Sequence, residues 1–397
     1  MTQHDVVVIG GGTAGITVAA RLRNAGVSDV AIIEPSSVHY YQPLWTLVGG
    51  GEANIDSTVR PEASVIPKGA TWIQASATGV DPDAQTVTLD NGESVGYQWL
   101  VVASGIQLDW GKIPGLEATL GRNAVSSNYR YDLAPLTWRN IEATSSGTAL
   151  FTMPPGPIKC AGAPQKIAYL AADHWRRQGV LGNMDIHLIL PTPGMFGIPE
   201  FAEGLAKAAK RYGIKVHFES KLVSIDGDAH KAVISKLDGS DEEELTFAMA
   251  HITPPQSAPD WIKASPLADP ESPFGYMAVD KHSLQSTKYP RVFGLGDCTT
   301  TPNSKTGAAV RKQAPTLVAN LMAARKGVGA EKSYDGYASC PLITAKGKCI
   351  MAEFNYDMER TPTFPVLDMT KERWDMYMVK KHALPKMYWD FMLKGRA

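Results

Sequence analysis

The chain opens on an unbroken apolar run, Val6-Val7-Val8-Ile9, with no polar residue alternating into it. A strand that is apolar at every position is buried on both faces, as strands of a parallel sheet are. The run gives way to Gly10-Gly11-Gly12-Thr13-Ala14-Gly15 and then to Ile16-Thr17-Val18-Ala19-Ala20-Arg21-Leu22. The latter predicts a helix, with Gly26 as its C-terminal cap. A second apolar strand, Val30-Ala31-Ile32-Ile33, ends at Glu34 and completes a βαβ unit.

The same pattern of periods returns further on. Asn91-Gly92 signals a hairpin between Thr86-Val87-Thr88-Leu89 and Tyr97-Gln98-Trp99, and a separate strand, Leu100-Val101-Val102-Ala103, leads into Ser104-Gly105. A strand at Thr148-Ala149-Leu150-Phe151, a helix near 165–178 and a strand Asp185-Ile186-His187-Leu188-Ile189-Leu190 repeat the βαβ order. The pattern predicts an α/β protein of two Rossmann-like dinucleotide-binding domains in tandem. The expected divisions are 1–110 for the first domain, 111–290 for the second, 291–330 for a return to the first, and 331–397 for a C-terminal piece. That last stretch is rich in Met and aromatic residues and is broken by Pro362, Pro365 and Pro385.

Composition narrows the function classes. With 39 Lys and Arg against 40 Asp and Glu, the net charge of −1 gives no general attraction to nucleic acid. No apolar run approaches the ~18 residues of a membrane-spanning helix. The first strand begins within a few residues of Met1, and no targeting segment is read before it. Four cysteines, Cys160, Cys298, Cys340 and Cys349, are too few for a disulfide scaffold, and none forms a C-x-x-C pair. Metal chemistry is not expected.

Gly10, Gly12 and Gly15 form G-x-G-x-x-G between strand and helix. Gly10 permits the tight turn, Gly12 the approach of a pyrophosphate, and Gly15 the packing of helix on strand. Glu34 stands where an acid accepts hydrogen bonds from ribose hydroxyls. Two later stretches choose FAD over NAD for this site. Ala103-Ser104-Gly105 resembles the strand-ending A-T-G motif of flavin disulfide-reductase-like enzymes, and Val292-Phe293-Gly294-Leu295-Gly296-Asp297 resembles their second flavin motif. Read without that context, Asp297 is a helix N-cap. After the strand near 148–152, Pro154 and Pro155 replace the glycines of a second phosphate-cradling loop, which argues against NAD(P)H as electron donor.

Cys160 is expected to open a helix, with Lys159 and Lys166 near it, a setting that favours thiolate. The stretches His39-Tyr40-Tyr41-Gln42-Pro43-Leu44-Trp45, Lys159-Cys160-Ala161-Gly162-Ala163-Pro164-Gln165-Lys166 and Ser339-Cys340-Pro341-Leu342 resemble sulfide:quinone oxidoreductases, most nearly the branch that includes the mitochondrial enzyme. Gly296-Asp297-Cys298-Thr299 and Pro302-Asn303-Ser304-Lys305-Thr306 are similar to the same family, and the resemblance runs from about residue 5 to 395. It implies FAD held by Gly10, Gly12, Gly15, Glu34, Gln42, Ala103, Ser104, Gly105, Gly296, Asp297 and Lys305. It implies a redox-active pair, Cys160 and Cys340, assisted by Lys166. It also implies hydrogen sulfide as electron donor, ubiquinone as acceptor, and a thiol, sulfite or polysulfide to receive the sulfur. Cys298 is expected beside the cofactor without a catalytic role, and Cys349 to be structural.

Residues 371–397 hold seven Lys and Arg against three Asp and Glu. Trp374, Tyr377 and Met378 fall on one helical face, as do Met387, Tyr388, Phe391 and Met392. These faces predict an amphipathic segment docked on membrane lipid, and so a peripheral, monotopic protein at a bacterial inner membrane. A core-packed or dimer-forming helix pair is the alternative, and homo-oligomerisation is left open. Two rival functions share the fold. One is NADH:quinone oxidoreduction; the other is a flavin subunit of a sulfide dehydrogenase that donates to a cytochrome.

Overall fold

The computed structural model describes residues 1–397. Val6 to Ile9 lie at the centre of the first sheet, inside the strand Thr2–Ile9. Val30–Ile33 runs parallel on one side and Ser94–Val102 on the other, with Val6 opposite Val30 and Trp99. The helix Thr13–Asn24 connects the first two strands, and Gly26 follows its end with a φ of 90°, open only to glycine at low cost. The Asn91-Gly92 turn closes its hairpin, but the two strands expected after it are one element, Ser94–Val102. Exposed Gln98 and half-buried Trp99 interrupt the apolar run in sequence without interrupting the backbone ladder. The first half of this strand pairs antiparallel with Thr86–Leu89. Its last residues pair in parallel with Val292–Gly294, so the chain returns to the first sheet after building the second. The helix Gly307–Arg325 then packs on Thr13–Asn24 through Val310, Ala314, Leu317 and Leu321.

The second sheet is parallel throughout, in the order Val125–Ser126, Met249–Ile252, Gly147–Thr152, Met184–Ile189, Lys215–His217. One face carries the helices Ala163–Arg177 and Pro199–Tyr212; the other is covered by the antiparallel strands Ser220–Asp226, Lys231–Lys236 and Glu243–Thr246. The two domains differ where strand turns into helix. In the first domain the residues 10–12 suffice, whereas in the second the longer stretch 153–162 intervenes. Pro154, Pro155 and Pro157 stiffen that stretch, and Cys160 lies within it, not at the first turn of the helix as the sequence suggested. Its φ of 53° marks a left-handed residue.

The C-terminal hairpin pairs Ala338–Ala345 with Lys348–Phe354, placing Cys340 opposite Ala352 and Cys349 opposite Ile343. Beyond it Tyr377 and Tyr388, expected to face lipid, turn the other way. Met376, Tyr377, Tyr388, Trp389, Met392 and Leu393 are buried in the core of the first domain with Val18, Leu22 and Leu47. Polar tips explain the choice, because each buried hydroxyl finds a partner. Tyr377 donates to Glu52, and Tyr388 bonds with Thr13 and His39. Of the two aromatic faces, Trp374 and Phe391 alone stay well exposed, at 67% and 48%. No helix of the protein is long and apolar enough to cross a membrane.

Candidate active site

The glycine loop is shaped by close approach. The carbonyl of Ala103 lies 2.5 Å from where a Cβ on Gly10 would sit, and Gly10 has a φ of 102°. A Cβ on Gly15 would lie 1.7 Å from the Gly10 carbonyl oxygen. At Gly12, by contrast, no protein atom comes within 4 Å of that position, which leaves room against the backbone for a phosphate. Glu34 accepts from the Gly11 N–H at 2.7 Å and from the Ser36 N–H at 2.8 Å, one bond per carboxylate oxygen. Each oxygen keeps a lone pair for a further donor.

Other residues of the flavin motifs converge here with unfilled hydrogen-bonding capacity. The Ser104 hydroxyl is enclosed and unpartnered. Asp297 sits in the short turn Gly296–Cys298 rather than capping the following helix, whose N-cap is Thr306. Burial raises its carboxyl above the usual range against the pull of Lys305 and Lys159. The Gly296 N–H donates to Gln313 at 2.9 Å. Lys305 Nζ donates to the Thr299 carbonyl and stands 4.0 Å from the centroid of the Tyr276 ring. The open cradle at Gly12, the enclosed Ser104 hydroxyl and the half-buried acid of Asp297 fit the pyrophosphate and polyol of FAD.

Cys160 is joined directly to this frame. Its N–H donates to the Lys305 carbonyl at 2.9 Å, and the neighbouring Lys159 Nζ reaches Gln42 at 2.7 Å. Lys166, one helical turn into Ala163–Arg177, is buried and donates from Nζ to Cys160 Sγ at 3.0 Å. Cys340, 1% exposed, is the neighbour that most strongly shifts the Cys160 thiol, and the two are free thiols in this structure. Cys340 and the Lys166 ammonium hold the Cys160 thiol well below its ordinary range despite burial. Cys160, together with burial, drives the Cys340 thiol upward. The two proton affinities are therefore driven apart, that of Cys160 downward and that of Cys340 upward.

The other two cysteines are placed differently. Burial pushes Cys298 up to about 11, and its thiol donates to the backbone carbonyls of Val102 and Leu295, with Ser104 and Gly105 beside it. Cys349 is pushed up to about 12 by burial and its thiol points at the Ile350 carbonyl.

Two features of the site went unread in the sequence. Lys380 is one of the basic residues of the tail expected to face lipid. It is buried instead, where the chain widens into a π-helical turn at Val379–Ala383, and its Nζ donates to the Pro43 carbonyl at 2.8 Å. Burial, with Lys166 nearby, lowers its ammonium to about 8, while the thiols of Cys160, Cys349 and Cys340 oppose that shift. The second feature is a buried network behind the glycine loop. His39 Nδ1 donates to the Gly11 carbonyl at 3.0 Å and lies 3.2 Å from Glu62, while Nε2 meets the Tyr388 hydroxyl at 2.6 Å. Tail and cofactor loop are thus one hydrogen-bonded unit. No short-range pattern could have shown the link to the tail, since Tyr388 lies 349 residues from His39 and 375 from Thr13.

Among known proteins, residues 4–139 match the family described as pyridine nucleotide-disulphide oxidoreductase. The chain is 41% identical over 395 residues to the mitochondrial sulfide:quinone oxidoreductase of Mus musculus, covering 99% of this chain and 87% of that protein. The chain belongs to the sulfide:quinone oxidoreductase family. The mitochondrial sulfide:quinone oxidoreductase of Dictyostelium discoideum is likewise 41% identical, over 98% of this chain and 86% of its own length. The crystal structure of the sulfide:quinone oxidoreductase from Aquifex aeolicus superposes with a TM-score of 0.84, covering 100% of this chain and 92% of that one. At 20% identity that likeness establishes the fold. These mitochondrial family members remove the ground for assigning this chain to a bacterial inner membrane.

Proposed function

We propose that this flavoprotein of the sulfide:quinone oxidoreductase family oxidises hydrogen sulfide at Cys160 and Cys340 and passes the electrons through FAD to ubiquinone. The single observation that carries the reading is Cys160 itself, its sulfur bonded by the buried Lys166 ammonium and its backbone hydrogen-bonded to Lys305 among the flavin-motif residues. Starting from the pair as a disulfide, hydrosulfide forms a bond to the Cys340 sulfur while the Cys160–Cys340 bond breaks. Cys160 leaves with the electron pair as thiolate, and Cys340 keeps the added sulfur as a persulfide. The low proton affinity of Cys160 makes it the better leaving group, which supports this order over the reverse. Lys166 holds the thiolate in place. When bound, FAD supplies the two-electron acceptor for that thiolate and the donor for the quinone. The outer sulfur of the persulfide passes to a thiol, sulfite or polysulfide, which leaves Cys340 as a thiolate; re-forming the Cys160–Cys340 bond then releases the two electrons that bound FAD would take up, and restores the starting disulfide.

The visible spectrum tests the reading. Sulfide is expected to bleach the flavin band rapidly and NADH is not, because Pro154 and Pro155 stand where a second glycine loop would be needed. Rapid bleaching by NADH alone would return the rival NADH:quinone activity.

Lys166→Met has a pH signature. Without the ammonium the Cys160 thiol takes up its proton at higher pH, so flavin reduction by sulfide is expected to fall most near neutrality and to recover as pH rises. A uniform loss at every pH would show that Lys166 acts some other way.

Docking at a membrane rests on the two aromatics left outside the core. Trp374→Ser with Phe391→Ser is expected to lower liposome binding several-fold while the rate of flavin reduction by sulfide stays unchanged. Undiminished binding would move the lipid contact elsewhere. Deleting the whole tail is not an equivalent test, since Tyr388 and Trp389 belong to the core.

A further inference from the structure

Where the helix Gly307–Arg325 meets the start of the C-terminal hairpin, a cavity of about 420 Å³ is lined by Arg311, Lys312, Thr316, Asp335, Tyr337 and Thr361, among others. Both cations face the Tyr337 ring, each 5.7 Å from its centroid. A cation at that distance is held in place by the ring but not neutralised. The carboxylates at hand are engaged with other donors. Glu353 accepts from the Tyr337 hydroxyl and from Thr363, and Asp335 Oδ1 accepts from the Tyr337 N–H at 2.9 Å. Arg325, further along the same helix, makes a two-pronged bond with Asp5, whereas Arg311 and Lys312 have no such partner. The Thr361 hydroxyl is enclosed beside them and unpartnered.

Arg311 and an exposed Lys312, neither of them in an ion pair, outnumber the Asp335 carboxylate on the same lining, and with the Thr361 hydroxyl they suit the oxygens of an anion, because charge-assisted bonds from Arg and Lys are the strong ones. The volume falls within the range of small-molecule sites and exceeds what one water needs. Tyr337 precedes Cys340 by three residues, about 10 Å of extended chain. Cys340 itself is buried on the opposite side of the strand, in the core of the second domain. A ligand here does not touch the cysteine pair.

We propose that this cavity binds a small molecule bearing an oxyanion, either a sulfur oxyanion or a carboxylate, at a site separate from the cysteines. The inference stands independently of the sulfide reaction, so the two can fail separately. The test is isothermal titration of the FAD-loaded protein at low ionic strength with sodium sulfite, sodium sulfate and sodium succinate in turn. At least one is expected to bind, and which one separates the two ligand sources. Arg311→Gln with Lys312→Gln is expected to weaken that binding at least 10-fold, leaving the flavin spectrum and its bleaching by sulfide unchanged. Thr361→Val, which keeps the shape and removes the hydroxyl, is expected to weaken it about 3-fold or more. Absence of heat from all three anions, or equal affinity in the double variant, would overturn the proposal.

Discussion

Cys160→Ser and Cys340→Ser are each expected to slow the bleaching of the flavin by sulfide at least ~100-fold, because a hydroxyl cannot take part in thiol–disulfide exchange and the covalent route is closed. Neither residue lines the glycine loop, so both variants are expected to purify yellow. Stopped-flow absorbance at the flavin band reads the loss directly. The other two thiols serve as controls. Cys349→Ser and Cys298→Ser are expected to stay within a few-fold of the parent rate, since burial raises both thiols above their ordinary range and each donates to backbone carbonyls rather than to the Cys160–Cys340 pair. Fast bleaching in Cys160→Ser would defeat the proposed route. An inactive Cys349→Ser would show that the wrong pair had been named, a real exposure of the idea because Cys349 lies within the electrostatic reach of Lys166 and Lys380.

Gly15→Ala is expected to abolish retention of FAD and to destabilise the first domain by about 1–3 kcal/mol or more, as overpacking against backbone does. The added methyl would sit 1.7 Å from the Gly10 carbonyl oxygen, with the Val8 side chain 3.3 Å away behind it. The helix cannot step back to make room, since its far side is packed against Gly307–Arg325. Gly12→Ala separates folding from cofactor binding. Its backbone, with φ −72°, suits any residue, and the new methyl meets no protein atom. That variant is expected to fold with an unchanged melting temperature and to bind FAD weakly, because the methyl occupies the phosphate's place. Differential scanning calorimetry with flavin titration distinguishes the two. A Gly15→Ala protein with parental melting temperature and full flavin content would contradict the packing argument.

What the sequence determined by itself is local. The all-apolar run Val6–Ile9, the three-glycine turn and the helix after it involve neighbours a few residues apart, and strand burial, turn geometry and helix capping act over that range. The prolines at 154 and 155 likewise stand where a second phosphate-cradling loop would carry glycines. The resemblance named Cys160, Lys166 and Cys340 together, but only the fold brings the hairpin bearing Cys340 against the loop bearing Cys160. Tertiary structure alone decided the tail. A helical face of Tyr, Trp and Met flanked by lysines has the same pattern whether it meets lipid or a protein core. Partners for its hydroxyls, at Glu52, Thr13 and His39, settle the matter for Tyr377 and Tyr388. Lys380 is the sharpest case, because a charge expected at a lipid headgroup is buried by the π-helical turn, close enough to feel three thiols. Side-chain period records which residues share a face. What that face touches depends on surfaces assembled from distant segments, and in this protein the loop, hairpin and tail that enclose the cysteine pair come from three such segments.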